Sequence, residues 1–333
     1  MNTFKYIYMQ GLQNLGATCA VNSLVQIICR NQYMREIVLK SQCGDNTLCG
    51  ELREILDLMH NKNHSLCPKK FITHLYKTFE NFFTIGEQLD IGELWMFLHD
   101  KLCQEQGQHK EMAKCNVSLD NINIDDNKGL SESLHLNQYC ASILHKSNNS
   151  LVSEWQAITQ GILLYMIKCS SCGNVLYNFE PFIAIPLDIC ESLDVVSMFR
   201  EFLKPFTCQG DWKCEKCNEF TKYEKSHKLW KLPKVLIFIV KRFADQRSKN
   251  NSPININSEI IIKKGSIIQS FHHDSRYIFS SMALHFGNMH GGHYCAVGKH
   301  EDKYIIYDDN RVATIDNILE KNKNAYMLVY SNC

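Results

Sequence analysis

A chain of 333 residues, 45% hydrophobic, with 36 basic against 35 acidic side chains and a formal net charge of +1, is long enough to bury one large core or two ordinary ones. That charge balance argues against nucleic-acid and membrane-surface partners, because phosphate contacts call for a basic face. The longest apolar run, Val235 to Val240, is far shorter than the roughly 20 residues of a membrane helix. The start, MNTFKYIYMQ, lacks the apolar core of a secretion signal. Sixteen cysteines in such a chain read as reduced thiols, metal ligands or a catalytic thiol, not disulfides. A soluble intracellular protein, cytoplasmic or nuclear, is expected.

The first hundred residues carry helical spacing. The stretch GLQNLGATCAVNSLVQ, Gly11 to Gln26, places Cys19 after a Gly-Ala-Thr turn at a predicted helix start, and Val21, Leu24, Val25 and Ile28 then share one face. A helix opens with unpaired N–H groups and partial positive charge, so a thiol there is expected to ionise more easily than a free one. Leu48, Leu52, Ile55 and Met59 mark a second helix, and FITHLYKTF and IGELWMFLHDKL two more. From Gln104 to about Asn149 the sequence turns polar, with DNINIDDNKG its least structured part, and reads as a surface loop or insertion.

From Leu151 the pattern becomes β. GILLYMIKC, KVLIFIVKRF, YIFSSMALHF, KYIIYDD and NAYMLVYSNC are strand candidates. Helices first and strands after favour an α+β fold. Within this half, Cys169 and Cys172 form CSSC, and Cys214 and Cys217 form CEKC. Two such pairs in tight turns can close a tetrahedral four-thiolate zinc site. The alternatives are four unliganded thiols, a redox pair or a zinc-ribbon nucleic-acid module, the last disfavoured by the charge. Cys190 and Cys208 lack a paired spacing.

Late in the chain, His293 follows Gly291 and Gly292 and leads from a flexible loop into a strand; Asp308 and Asp309 end the next one. If the two strands pair, a carboxylate can fix the imidazole while its other nitrogen takes the proton of a thiol. Each residue also has a plainer reading: Cys19 as a small core residue, His293 as a loop histidine, the aspartates as a turn. His285, His290 and His293 could instead bind a metal, although the glycines break the helix on which zinc proteases carry their histidines.

Taken together these blocks resemble the ubiquitin-specific proteases, cysteine deubiquitinases with thumb, palm and fingers. GLQNLGATCAVNSLVQ is similar to the family's Cys box, GNMHGGHYCAV with YIIYDDNRV to its His box, and EQLDIGEL to its Gln-x-Asp-x-x-Glu helix; CSSC, CEKC, LPKVLIFIVKRF and AYMLVY fall in the family's order. The resemblance implies a papain-like fold: one catalytic domain over 1–330, with a helical thumb at 1–103, the polar insertion at 104–150, fingers and first palm strands at 151–245 and the rest of the palm at 246–333. It implies Cys19 as nucleophile, His293 as general base and then acid, and Asp308, with Asp309 as a possible sharer, as the orienting carboxylate. Asn14 matches the oxyanion asparagine, although NLG is turn-prone in any case. Gln88, Asp90 and Glu93 would face the arginines and diglycine of the ubiquitin tail. Asp90 with Glu93 also reads as an N-cap with its box partner, and one oxygen could cap while the other faces the groove. Gly291 and Gly292 would give the loop room to move, and His285 would support it. Structural zinc on Cys169, Cys172, Cys214 and Cys217, ubiquitin or ubiquitinated proteins as partners, and a monomer are implied. The rivals are a protease for another diglycine-ending modifier and an inactive ubiquitin-binding scaffold. Ala20 stands where the family usually has an aromatic.

Overall fold

The computed structural model describes residues 10–61, 65–111, 127–210, 212–243, 248–269, 273–288 and 291–333. The amphipathic stretches of the first hundred residues are helices α1 (Cys19–Arg30), α2 (Gln32–Lys40), α3 (Leu48–Asn61), α4 (Lys69–Thr78) and α5 (Ile91–Gln106). The short strands β1 (Gln108–His109) and β2 (Leu151–Val152) pair with each other, and α6 (Asn127–Glu132) and α7 (Leu134–Ser147) lie between them in sequence. Then follow α8 (Glu154–Thr159), β3 (Gly161–Cys169), β4 (Val175–Phe182), β5 (Ile185–Leu187), α9 (Val195–Phe202), β6 (Phe206–Cys208), β7 (Tyr223–Lys231) and β8 (Val235–Val240). The rest is β9 (Glu259–Ile262), β10 (Ser275–Asn288), β11 (Gly291–His300), β12 (Lys303–Asp308), β13 (Arg311–Ile315) and β14 (Ala325–Asn332).

Two sheets organise these strands. The larger runs β13-β12-β11-β10-β14-β8-β5, with β9 also on β10, and is antiparallel except where β5 joins β8. The smaller runs β4-β3-β7-β6 and is antiparallel throughout. These are palm and fingers, and α1 to α5 form the thumb, so the expected α+β papain-like architecture is the one found.

Helix α1 is buried on all sides from Cys19 to Cys29, Asn22, Ser23 and Gln26 included. A helix covered all round belongs in a core, and α1 lies between α2 and α5 on one side and β10, β11 and β12 on the other. The first helical residue therefore meets the middle of the palm sheet, which brings Cys19 to β11.

A buried arginine closes the palm. Arg242, just past β8, is 0% exposed and donates from Nε to the Ala325 carbonyl at 2.7 Å, from Nη1 to Asn250 at 2.8 Å and Ser252 at 3.1 Å, and from Nη2 to Asn322 at 3.1 Å. Burial pulls its guanidinium down to about 10. The fork thus ties the end of β8 to the start of β14.

The polar segment needs correction. The expected loop over 104–150 holds the end of α5, then α6 and α7, and Leu130, Leu136 and Cys140 pack with Ile162, Leu164, Phe179 and Trp230 of the finger sheet. Burying a leucine contributes roughly 1.5–3 kcal/mol, so this segment supports the fingers. The signal was present: Ser133 caps α7, accepting from the Leu136 N–H at 3.3 Å, and Leu136, Cys140, Ile143 and Leu144 repeat at helical spacing. Most of DNINIDDNKG lies outside the described residues.

Candidate active site

Cys19 is the first residue of α1 and only 4% exposed. The turn before it bends through Gly16 at φ 99° and Ala17 at φ 53°. Thr18, at the N-cap, gives the helix no side-chain cap, because its hydroxyl accepts from the Leu15 N–H at 3.0 Å and donates to Asn14 Oδ1 at 3.1 Å. The first amides of α1 are left for the sulfur. Burial pushes the Cys19 thiol up, the N–H of Tyr294 draws it down, Asp309 raises it, and the N–H groups of Ala20 and Cys19 lower it; the net is upward. The expectation of an easily ionised thiol is therefore corrected: burial outweighs the helix terminus, and the resting thiol holds its proton at neutral pH.

The Tyr294 N–H that draws the thiol down belongs to the strand residue that follows His293, and α1 packs on that strand. His293 Nε2 lies 2.6 Å from Asp308 Oδ1, and β11 and β12 pair as expected, with Ala296 opposite Tyr307. Beyond that register Asp308 ends its strand and turns its carboxylate to the imidazole. Nδ1 is then the nitrogen left for the thiol. The side chains of His293 and Asp308 are 40% and 41% exposed, so the pair is open to solvent.

The two aspartates have different partners. Asp309 sits at φ 52° and accepts from Asn14 Nδ2 and from Asn22 Nδ2, each at 2.8 Å. The carboxylate of Asp309 is bonded to these two amides and that of Asp308 to the imidazole; Asp309 ties the approach to Cys19 to the β12–β13 turn, an attachment repeated by Leu12 N–H on its carbonyl at 2.9 Å. Asn14 Oδ1 also accepts from the N–H groups of Gly16 at 2.9 Å and Thr18 at 3.2 Å. Asn14 thus forms the turn through Oδ1, as its NLG setting predicts, while Asp309 holds its amide nitrogen. Asn22 was missed. Its signal is a polar side chain one helical turn after the cysteine in an otherwise packed helix.

Gln88 spans the groove, donating to the Gly292 carbonyl at 2.5 Å and accepting from the Gly292 N–H. Gly291 and Gly292 are the first residues of β11, paired with Asn288 and Gly287, and are not part of a loose loop. Glycine is needed at 292 for space, since a Cβ there would run into the His285 ring and the Phe286 carbonyl. His285 packs on Tyr294 with ring centroids 4.7 Å apart, as the expected support. His290 lies outside the described residues.

Asp90 caps α5 through Oδ1, accepting from Gly92 N–H at 2.8 Å and Glu93 N–H at 2.9 Å. Its Oδ2 accepts from the hydroxyls of Tyr326 at 2.6 Å and Tyr294 at 3.3 Å. The second oxygen joins thumb to palm, two tyrosines that sequence reasoning missed. Glu93 is exposed and carries no ion pair or hydrogen bond from its carboxylate to a described residue.

At the tips of the fingers the four cysteine sulfurs, Cys169, Cys172, Cys214 and Cys217, lie within 4.8 Å of one another. The two turns are built alike. Gly173 N–H bonds the Cys169 carbonyl as Asn218 N–H bonds that of Cys214, and Cys169 and Cys214 donate to Asn174 and Glu219. The residue after each second cysteine has positive φ, 70° at Gly173 and 59° at Asn218. Sulfur separations of 3.9 Å for Cys169–Cys217 and 3.6 Å for Cys172–Cys214 bracket the edge of a tetrahedron with Zn–S bonds of about 2.3 Å, about 3.8 Å. The four residues fit zinc.

A buried thiol at a helix start, with imidazole and carboxylate on adjoining strands, is the layout of a papain-like thiol hydrolase. The chain belongs to the ubiquitin carboxyl-terminal hydrolase family, whose model matches residues 10–330. It is 27% identical to ubiquitin carboxyl-terminal hydrolase Usp2 of Drosophila melanogaster, over 96% of this chain and 34% of that protein. It is 26% identical to ubiquitin carboxyl-terminal hydrolase 12 of Salmo salar, over 92% and 82%. The chain thus spans about a third of the fly protein's length. Among solved structures, a chain of the SAGA DUB module Ubp8/Sgf11/Sus1/Sgf73 bound to monoubiquitin superposes with a TM-score of 0.70 at 20% identity, covering 98% of this chain and 69% of that one. At that identity the likeness concerns the fold.

Proposed function

We propose that the chain is a thiol isopeptidase that hydrolyses the bond after the C-terminal glycine of ubiquitin, on lysine side chains of proteins or within ubiquitin chains. The observation that carries this reading is the 2.6 Å contact of His293 with Asp308 on the strands against which the helix of Cys19 packs. Family membership supports it, as does the monoubiquitin bound to the SAGA DUB module, a chain of which shares this fold.

In this reading His293 Nδ1 takes the proton of Cys19 as sulfur attacks the glycine carbonyl, and Asp308 stabilises the imidazolium. Asn14 and the backbone N–H of Cys19 hold the oxyanion; losing one such donor costs about 3 kcal/mol of barrier. The imidazolium then protonates the departing lysine amine, and water activated by the same ring frees the thioester. Gln88 and Asp90 line the path of the diglycine tail, and Glu93 offers its free carboxylate to a tail arginine. Zinc on Cys169, Cys172, Cys214 and Cys217 would hold the fingers that grip the globular part of ubiquitin. The described cysteines are free thiols, which suits a reducing compartment, cytoplasm or nucleus, and the chain is taken to act as a monomer.

Release of a fluorophore from the ubiquitin C-terminus tests this. Wild-type protein should turn over and Cys19→Ala should not, with the fold intact. Reaction of Cys19 only with a probe built on another diglycine-ending modifier would move the substrate, and equal activity in Cys19→Ala would end the proposal.

A further inference from the structure

One thiol in the cleft has no part in that cycle. Cys295 lies two residues after His293 on β11, so the two side chains share a face of the strand. It is 4% exposed, and its sulfur lies within 4.8 Å of a carboxylate oxygen of Asp308. The ligand atoms of His293, Cys295 and Asp308 all lie within 4.8 Å of one another. A nitrogen, a sulfur and a carboxylate oxygen are the donors that zinc-class ions select.

We propose that His293, Cys295 and Asp308 form an inhibitory site for a divalent transition metal of the zinc class, distinct from the four-cysteine site of the fingers. Metal bonds of about 2.0–2.3 Å set tetrahedral ligand pairs about 3.2–3.8 Å apart. The sulfur therefore needs to draw toward the other two atoms by at most about 1.3 Å, while the 2.6 Å His293–Asp308 contact opens by about 0.7 Å. The half-exposed imidazole and carboxylate give the ion a way in, and the fourth position is left to water or to the sulfur of Cys19.

The protons balance simply. Cys295 releases its proton to solvent as the metal–sulfur bond forms, and Asp308 binds as the carboxylate it already is. The imidazole stays neutral, because Nε2 gives its hydrogen to solvent as the metal binds there and Nδ1 takes one up from solvent; no electrons are transferred. Nδ1 then carries a hydrogen toward Cys19 and cannot accept the thiol proton. The ion switches the base off by fixing its tautomer.

The inhibition rests on the catalytic reading of His293, whereas the binding does not, so the two are measured separately. Equilibrium dialysis against Zn2+ of the full chain with its finger metal in place should show a second equivalent in Cys19→Ala and none in Cys19→Ala with Cys295→Val. In the turnover assay Cys295→Val should need at least about tenfold more Zn2+ for half-inhibition than wild type, with its metal-free rate held within about twofold. Cys295→Ala serves in place of a valine variant that fails to fold. A second equivalent that survives loss of Cys295 would overturn the site, and unchanged inhibition in Cys295→Val would overturn it too and assign the inhibiting ion to Cys19 with His293. A Cys295-dependent equivalent in a protein with no turnover would keep the site and defeat the catalytic reading.

Discussion

Asn14 and Asp309, 295 residues apart in sequence, are joined by a 2.8 Å hydrogen bond from amide to carboxylate, while Asp308 beside it holds His293. Two adjacent acids thus serve two different parts of the site. Asp308→Asn is expected to lower kcat about a hundred- to ten-thousandfold, as loss of an orienting carboxylate does. Asp309→Asn should cost about tenfold, through the misplaced Asn14, and should lower the Cys19 thiol by removing the charge that helps to raise it. Steady-state kinetics of both variants checks this; equal losses with equally shifted profiles would contradict the division.

The resting thiol is protonated, because burial raises it above its ordinary value of 9.0. Alkylation of Cys19 by iodoacetamide should therefore climb with pH and reach no plateau below about pH 9. A plateau near neutrality, measured by the mass of the Cys19 peptide, would show a standing thiolate instead.

His285 should make the fold sensitive to acid. Burial, and then the nearby Lys249, pull its pKa down to about 4, and Asp90 only partly opposes them. Its ordinary value is 6.5, so between pH 6.5 and 4 the unfolded chain binds a proton that the folded chain refuses. Stability is full above that window and falls within it by up to about 1.4 kcal/mol per pH unit. Urea midpoints at pH 7 and pH 5 should differ by less in His285→Gln than in wild type, once each is normalised to its own midpoint at pH 7.

Removal of zinc should loosen the fingers and leave the palm assembled. Cys217→Ser is expected to lower the metal content measured by mass spectrometry and to reduce Tm by about 5 °C or more. Near-ultraviolet circular dichroism would report Trp212 and Tyr223, whose rings sit 5.2 Å apart beside the cysteine turns.

Arg242→Met would take the guanidinium from the buried Ala325 carbonyl and from the partly buried carbonyls of Asn250 and Ser252, while the Asn322 carbonyl keeps the Ile254 N–H. At about 1–3 kcal/mol for a buried acceptor left unpaired, a loss of about 2 kcal/mol or more is expected in denaturant unfolding. Arg242→Lys should rescue little, since an ammonium cannot replace the fork.

Much of this molecule was legible in its sequence for physical reasons. Apolar spacing located α1, α3, α4 and α5, and apolar runs marked β3, β8, β10, β12 and β14, because those residues form the cores. Cys19, His293 and Asp308 stood out by residue type and by the strand pairing their spacing implied. What stayed hidden depends on contacts across the fold. The hydroxyls of Tyr294 and Tyr326 meet Asp90 only once thumb and palm are joined. The separate duties of Asp308 and Asp309 follow from one left-handed residue at the end of β12. The raised thiol of Cys19 comes from the packing around α1, which a helix-terminus argument leaves out. The α7 segment was misread because polar neighbours mask a sparse apolar stripe.

Strand β14 follows both His293 and Asp308 in sequence, yet it lies between β10 and β8 in the middle of the large sheet and delivers Tyr326 to Asp90. During synthesis, the residues of the site leave the ribosome before the strand that holds their sheet together. The nascent polypeptide is thus expected to carry no working cleft until β14 has emerged, which withholds proteolytic power while the rest of the domain is being made.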